Sequence, residues 1–282
     1  MSQERPGSAI SVVIVNFRTK ELTVAAAVSA LQEPEVGQVI VVDNASGDGS
    51  PDFLRAKLPA STVRIIEATA NLGFGRANNL AMTEVQSELV LLLNSDATLV
   101  PGAVGALANA LVRDSSVGLV APAVLEADGR TLQPGAHGRF PRLVESPFRG
   151  AAAEDAMVVD WASGVAMMLR TRDYLDVGGF DEDFDMYLED VDLCRRLGDQ
   201  GKVVLRVPAA RVVHLGGQSW LSSVDKRGHY HRSKIIYFRK AGSGPAQVAL
   251  LQLQRALRVA ISRLSHRFGR RGPRTRPPRS TP

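Results

Sequence analysis

Cysteine is almost absent from this 282-residue chain: Cys194 stands alone, so no intramolecular disulfide can form and a reducing compartment is expected. Long apolar runs are missing too. Nothing approaches the eighteen or more apolar residues of a membrane span. The first apolar run, Ala9–Val15 after the polar start MSQERPGS, is too short for a secretory signal core. A cytoplasmic protein is expected. Internal repeats are lacking, which argues against a solenoid. Acidic residues are missing from one end only: none follows Asp225, whereas fifteen Lys and Arg lie from Lys226 onward. Removing those fifteen from the total of 34 leaves 19 basic against 29 acidic residues, a net of −10 in a chain whose total is +5. An acidic body therefore ends in a basic tail. With 45% hydrophobic and 22% charged residues the composition is that of a globular protein with its own core.

What is present is alternation of strands and helices. The β-branched run Ala9–Asn16 reads as a buried strand and Lys20–Leu31 as an Ala-rich helix. Further strands are expected at Gln38–Val42, Val63–Glu67 and Leu89–Leu93, with helices at Gly75–Glu84 and Pro101–Val112. This order implies parallel pairing with right-handed crossovers, a Rossmann-like α/β layer. Ligands of such sheets bind beyond the carboxyl ends of the strands. Polar clusters follow three of the strands at once: Asn16, then Asp43-Asn44, then Asn94-Ser95-Asp96. Residues 126–160 lack periodicity and read as a long, partly mobile loop. Regularity returns with a strand from Trp161 (WASGVAMML), helices at Thr171–Val177 and Asp190–Asp199, and a strand at Val203–Val207.

The carboxylate of Asp43 can accept hydrogen bonds from a base or a ribose, and the small residues of DNASGDGS allow close approach to the backbone. The same pattern also serves as an ordinary strand-to-helix turn. Taken with NLGFGRANN at Asn71–Asn79, LLLNSD at Leu91–Asp96, GGFDEDFDMYLEDVDLCRRLGDQG at Gly178–Gly201 and HLGGQS at His214–Ser219, the chain resembles the family 2 glycosyltransferases in their bacterial rhamnosyltransferase-like branch. The resemblance covers roughly residues 8–220. It implies a GT-A fold, a mixed sheet flanked by helices, and an inverting transfer from a nucleotide-sugar donor to a cell-surface or polyprenyl-linked glycan.

The site residues follow from the same resemblance. Asp190, beside Glu189, is expected to be the catalytic base, since inversion needs a base on the far side of the sugar from the leaving group. Helix capping is the simpler reading of acids in that stretch, and Asp192 is expected to have that role. Asp96 and His214 are expected to hold Mg²⁺ or Mn²⁺, which neutralises the leaving diphosphate. Asn94 stands where the family carries an acid, leaving Asp96 as the single charged ligand. Asn16, Asp43, Asn44, Asn71, Gly73, Asn79, Asn94 and Ser95 are expected around the donor, with Gly73 and Gly75 admitting the diphosphate close to the backbone. Trp161, Ser163 and Gly164 are expected at the sugar or acceptor, although a core tryptophan is the ordinary alternative.

L-Rhamnose from dTDP-rhamnose is the expected donor, with UDP-galactofuranose, UDP-N-acetylglucosamine or a non-catalytic nucleotide-sugar-binding role as alternatives. A nucleotidyltransferase would need a Gly-rich phosphate loop after the first strand, and NFRTKE has none. The glycosyltransferase domain is expected over residues 1–225, followed by a helical, basic module over 226–282 with a disordered end. In that module Leu250, Leu253, Leu257, Ile261, Leu264 and Phe268 form one helical face among arginines. Such a helix suits an anionic membrane surface at the inner face of the plasma membrane. Packing on the enzyme itself, a protein partner or nucleic acid are the alternatives, nucleic acid the least favoured.

Overall fold

The computed structural model describes residues 10–141, 157–216, 223–254 and 256. It divides into a unit of residues 1–233 and a smaller unit of residues 234–282. The first unit begins with β1 (Ile10–Asn16), α1 (Lys20–Leu31), β2 (Val36–Asp43), α2 (Ser50–Lys57), β3 (Val63–Glu67), α3 (Phe74–Met82) and β4 (Leu89–Asn94). β1 is buried on both faces, which is why its sequence is a continuous apolar run rather than an alternating one. The helices after β1 and β2 are crossovers that return the chain for parallel pairing, giving the order β3-β2-β1-β4. α1 presents Ala26, Ala27 and Ala30, all fully buried, and these small residues let it lie close on the sheet.

The rest of the sheet is mixed. It includes β5 (Ala97–Leu99), β6 (Val117–Leu125) after α4 (Ala103–Val112), β8 (Met157–Val159) and β10 (Ala166–Arg170), while the short β7 (His137–Gly138) and β9 (Trp161–Ala162) pair in a separate two-stranded sheet. α5 (Thr171–Asp176), α6 (Glu189–Asp199) and β11 (Val203–His214) follow, and α7 (Ser223–Lys240) begins in this unit and runs past its end. β10 pairs antiparallel with both β4 and β6, and β11 lies parallel to β6 and antiparallel to β5. The main sheet thus runs β3-β2-β1-β4-β10-β6-β11-β5 among the described residues, with β8 added beside β11.

Several expectations are corrected here. β6 is a fully buried strand that sequence periodicity missed, because Gly118 and Pro122 interrupt its VGLVAPAVL run. The stretch from residue 126 is not a loose loop at its start: Gln133 N–H donates to the Val124 carbonyl at 2.9 Å, closing a tight turn. Its middle, residues 142–156, lies outside the described residues. The strand expected from Trp161 is broken at Ser163-Gly164 into β9 and β10. β11 continues to His214, with an irregularity between Val207 and Arg211. α4 starts at Ala103 rather than Pro101, because Gly102 adopts a left-handed φ of 85°.

That start is capped from a distance. The Glu33 carboxylate, 2% exposed, accepts the N–H groups of Gly102 and Val104 at 2.8 Å each, satisfying two of the donors a helix start leaves free. In the smaller unit a helix runs over residues 245–254, with Leu250 and Leu253 exposed. Leu257, Ile261, Leu264 and Phe268 of the expected apolar face lie outside the described residues.

Replacing Glu33 with Ala leaves the N–H of Gly102 and the buried N–H of Val104 without this partner. We expect Glu33→Ala to lower the unfolding free energy by about 2 kcal/mol, read from urea unfolding curves. A change within error would show that water takes over the cap.

Candidate active site

The carboxyl ends of β1, β2 and β4 meet at an open cleft of about 430 Å³ whose walls include Asn44, Asn71, Gly73, Asn94, Ser95 and Asp96. Beneath it lies a polar hub. Asn16, fully buried, donates to Asp43 Oδ1 at 2.6 Å and to Ser46 Oγ at 3.1 Å, and its own Oδ1 accepts Thr23 Oγ1 at 2.8 Å. Asp43, 3% exposed, also accepts the Ser46 hydroxyl and amide. Asn16, expected beside the donor, is therefore consumed in joining β1 to β2 and does not line the cleft. Asp43 works chiefly in the same hub. One layer out, Asn44 pins the next loop, accepting Leu72 N–H at 2.8 Å and donating to Asn71 Oδ1 at 3.0 Å.

Asn79 and the glycines are also used differently from the expectation. The Asn79 amide donates to the Phe180 carbonyl at 2.8 Å and accepts Phe180 N–H at 2.9 Å and the Tyr174 hydroxyl at 2.5 Å, so it clasps α3 to the 174–180 segment away from the cleft. Gly73 lines the cleft, but its missing side chain serves another approach: a Cβ there would sit 2.6 Å from the Asp185 carbonyl oxygen. At Gly75 a Cβ would meet Phe180 at 3.0 Å. Close protein neighbours, the Asp185 backbone at Gly73 and the Phe180 side chain at Gly75, leave no room for a Cβ at these two glycines.

Asp96 and His214 are brought together by strand pairing. β5 runs antiparallel to the end of β11, setting His214 opposite Ala97, and Leu215 N–H donates to the Asp96 carbonyl at 3.0 Å. His214 Nε2 lies 3.0 Å from Asp96 Oδ1, yet the two are not aligned as a hydrogen bond, and that buried oxygen is left with no hydrogen-bond partner. Among the described residues no third His, Cys, Asp or Glu joins them. An orphaned carboxylate oxygen facing an imidazole nitrogen fits a divalent cation completed by ligand oxygens.

The acid-rich segment sorts itself by partner. Asp192 does not cap α6 as expected, because its fully buried carboxylate is held by Arg195 at 2.9 Å and Arg196 at 2.6 Å. Asp185 meets Arg232 at 3.1 Å. Glu189 and Asp190, by contrast, have no ion-pair partner among the described residues. Tyr187 and Leu188, with φ of 68° and 67°, turn the chain through left-handed conformations just before them, at a cost of order 1 kcal/mol each. Ser233 Oγ donates to the Met186 carbonyl at 2.7 Å and helps hold that bend.

Glu189 and Asp190 line a second cavity of about 370 Å³ together with Trp161, Ser163, Tyr187 and Tyr230. Gly164, expected at the sugar, donates its N–H to Asp190 Oδ2 at 2.9 Å, and Val191 N–H meets Asp190 Oδ1 at 2.8 Å. Trp161 is buried with its indole N–H on the Arg139 carbonyl, so one edge serves the core while another lines the cavity. Burial, and then the charge of Asp190, push the Glu189 carboxyl up from 4.5 to about 8. Burial raises Asp190 as well, but two backbone N–H donors from Gly164 and Val191 oppose it. Asp190 thus ionises first and Glu189 keeps the proton the pair shares.

The sequence reading passed over three residues that the tertiary structure brings here. Tyr187 and Tyr230 frame the second cavity with their rings 6.2 Å apart. His229 lines the first cleft with a buried Nδ1 that has no hydrogen-bond partner. No motif spacing marks His229 or Tyr230, because they arrive on α7 from far along the chain.

Comparison with known proteins agrees with this geometry. The sequence pattern described as "Glycosyl transferase family 2" matches residues 11–173. An N-acetylglucosaminyl-diphospho-decaprenol L-rhamnosyltransferase of Mycobacterium tuberculosis is 30% identical over 238 residues, which are 73% of this chain and 76% of that protein. Among solved structures, the mannosyltransferase of Pyrobaculum calidifontis in complex with GDP-Man and Mn²⁺ superimposes with a TM-score of 0.61 at 19% identity, covering 88% of this chain and 69% of that one. GalNAc-T7 with UDP, GalNAc and Mn²⁺ gives a TM-score of 0.61 at 14% identity and covers 82% of this chain, which spans about half (48%) of that longer protein. These two likenesses concern the fold, which is the GT-A arrangement.

The protonated Glu189 gives stability a pH dependence. Below pH 4.5 folded and unfolded chains both hold its proton, and between 4.5 and about 8 only the folded chain does. The contribution is complete at the acid side of that window and is lost as the pH rises through about 8. We expect urea midpoints to fall with pH across the window, and Glu189→Gln, which cannot ionise, to remove that fall. An unchanged slope in the variant would clear Glu189 of the effect.

Proposed function

The chain belongs to glycosyl transferase family 2, and from that premise we propose that it moves L-rhamnose, with inversion, from dTDP-rhamnose to an uncharged sugar of a polyprenyl-linked glycan. The observation that carries the proposal is the pairing of two cavities: one at the strand ends beside Asp96, the other holding Asp190 without a cation. The donor occupies the first, its nucleoside along the wall made by Asn44 and Asn71 and its diphosphate toward Asn94, Ser95 and Asp96. The second takes the acceptor. Its aromatic faces suit the C–H surfaces of a sugar, and Glu189 and Asp190 on its wall disfavour an anionic one.

In this reading Asp190 accepts the proton of the acceptor hydroxyl as that oxygen bonds to the anomeric carbon. The bond from that carbon to the phosphate oxygen breaks on the opposite face, and the nucleoside diphosphate leaves. Gly164 N–H orients the carboxylate, and Glu189, holding its proton, adds no second negative charge. Asp96 and His214 would hold Mg²⁺ or Mn²⁺, which when bound neutralises charge on the departing diphosphate. Two findings favour rhamnose and a lipid-linked acceptor over UDP-galactofuranose, UDP-N-acetylglucosamine or a binding-only role. One is the name of the mycobacterial relative. The other, the intact Glu189-Asp190 pair, bears only on the binding-only role, which it disfavours.

We further propose that residues 1–225 form the body of the transferase domain, to which α7 adds His229 and Tyr230 at the cavities, and that the basic module from residue 226 meets anionic lipid headgroups with its later part. No helix among the described residues is long and apolar enough to cross a membrane. The support for lipid contact is the run of fifteen basic and no acidic residues after Asp225.

Asp190→Asn is expected to lower turnover by about 10²-fold or more with donor binding nearly unchanged, and EDTA should abolish wild-type activity until Mn²⁺ or Mg²⁺ is restored. Both are read by coupled detection of released nucleoside diphosphate. Wild-type turnover in the variant removes Asp190 from the chemistry, and full activity in EDTA removes the metal. For the tail, deletion of residues 245–282 should reduce co-sedimentation with anionic liposomes at low salt while donor hydrolysis persists. An intact protein that ignores such liposomes refutes the membrane contact.

A further inference from the structure

We infer that Gln133 is a positioning residue for the metal site, holding the His214 ring with Nδ1 protonated so that the Nε2 lone pair faces the ion. The inference rests on the metal-dependent reading above and adds to it a residue that no motif marks. Gln133 Oε1 lies 2.8 Å from His214 Nδ1. An amide oxygen can only accept, so the ring nitrogen opposite it carries the hydrogen. In the neutral ring Nε2 is then a lone pair, and it lies 3.0 Å from Asp96 Oδ1. That oxygen is itself buried and lacks a hydrogen-bond partner. Two buried acceptors set side by side are unfavourable alone, and a cation shared between them turns the arrangement into a favourable one.

The chain builds this contact deliberately from local pieces. In the β6–β11 ladder Val124 pairs with Val212 and Leu125 with Val213, so the chain leaving β6 emerges beside His214. A compact turn follows at once. The Asp128 carboxylate accepts the N–H groups of Arg130 and Thr131 at 2.8 Å each, and Glu126 N–H donates to the Thr131 carbonyl at 2.7 Å. Gln133 N–H then returns to the Val124 carbonyl at 2.9 Å, and its side chain is delivered to the imidazole from a fixed backbone. A partner of a metal-binding histidine held this way sets both the tautomer and the ring plane.

The test compares Mn²⁺ binding to the full-length protein and its variants by electron paramagnetic resonance, with and without dTDP. Gln133→Met keeps the side-chain length but removes the acceptor, and we expect it to weaken Mn²⁺ binding by about tenfold or more. Gln133→Glu restores an acceptor and should bind Mn²⁺ as the wild type does. A purely structural role would lower the melting temperature of metal-free Gln133→Met and leave its Mn²⁺ affinity unchanged, and that result overturns the inference. Wild-type protein that takes up no Mn²⁺ even with dTDP overturns the metal reading beneath it. Should Gln133→Met fail to fold, long-range ¹H–¹⁵N spectra of the metal-free wild type decide instead: His214 protonated at Nδ1 supports the inference, and protonation at Nε2 alone defeats it.

Discussion

One hydrogen bond joins the two halves of this site: Gly164 N–H to Asp190 Oδ2, at 2.9 Å. Gly164 sits in the break between β9 and β10, and β10 is the antiparallel strand that couples β4 to β6. Asp190 stands in the first turn of α6, after two residues in left-handed conformations. The bond therefore registers the acid segment against the centre of the sheet. It also selects which of two adjacent carboxyls ionises, since Glu189 receives no comparable donor from elsewhere in the fold. Remove it and both the aim and the charge of Asp190 change together.

Polar groups buried under the cleft do a second kind of work. Asn16, Asp43, Ser46 and Thr23 satisfy one another almost completely, which is the condition under which burying them is tolerable. The cost of burial is offset by fixed strand ends, and the cleft lined by Asn44, Asn71 and Asn94 inherits that rigidity. Asp96 Oδ1, Glu189 Oε2 and His229 Nδ1 are among the buried atoms that lack such a hydrogen bond. All three lie at the two cavities or at the proposed metal site, where a ligand can supply what the protein withholds.

Motif reasoning and geometry therefore disagree in an instructive way. Asn16, Asn79, Gly73 and Gly75 belong to motifs of the family, and the structure uses them to join segments of the protein. Asn16, Asn79 and Gly75 lie a layer away from the cleft, and Gly73, at its wall, makes room for the Asp185 carbonyl. His229 and Tyr230 carry no recognisable pattern yet line the cavities, because α7 passes beside both. A motif reports which residues a family needs without saying whether the need is chemical or architectural.

The sequence by itself determined the elements whose causes are local. The apolar runs of β1, β2 and β4, the Ala-rich helix at Lys20–Leu31 and the polar residues at the strand ends were all legible, since burial on both faces and helical spacing leave direct marks. The grouping of acids near Asp190 was legible too, and so was the basic tail. Only the tertiary structure decided which acids meet cations, because Arg195 and Arg196 reach Asp192 and Arg232 reaches Asp185, whereas Glu189 and Asp190 have no ion-pair partner among the described residues. It alone revealed β6, hidden by its glycine and proline, and the turn that carries Gln133 to His214. Strand order sets those meetings, and pairing between distant segments depends on the whole sheet at once, so no local pattern encodes it.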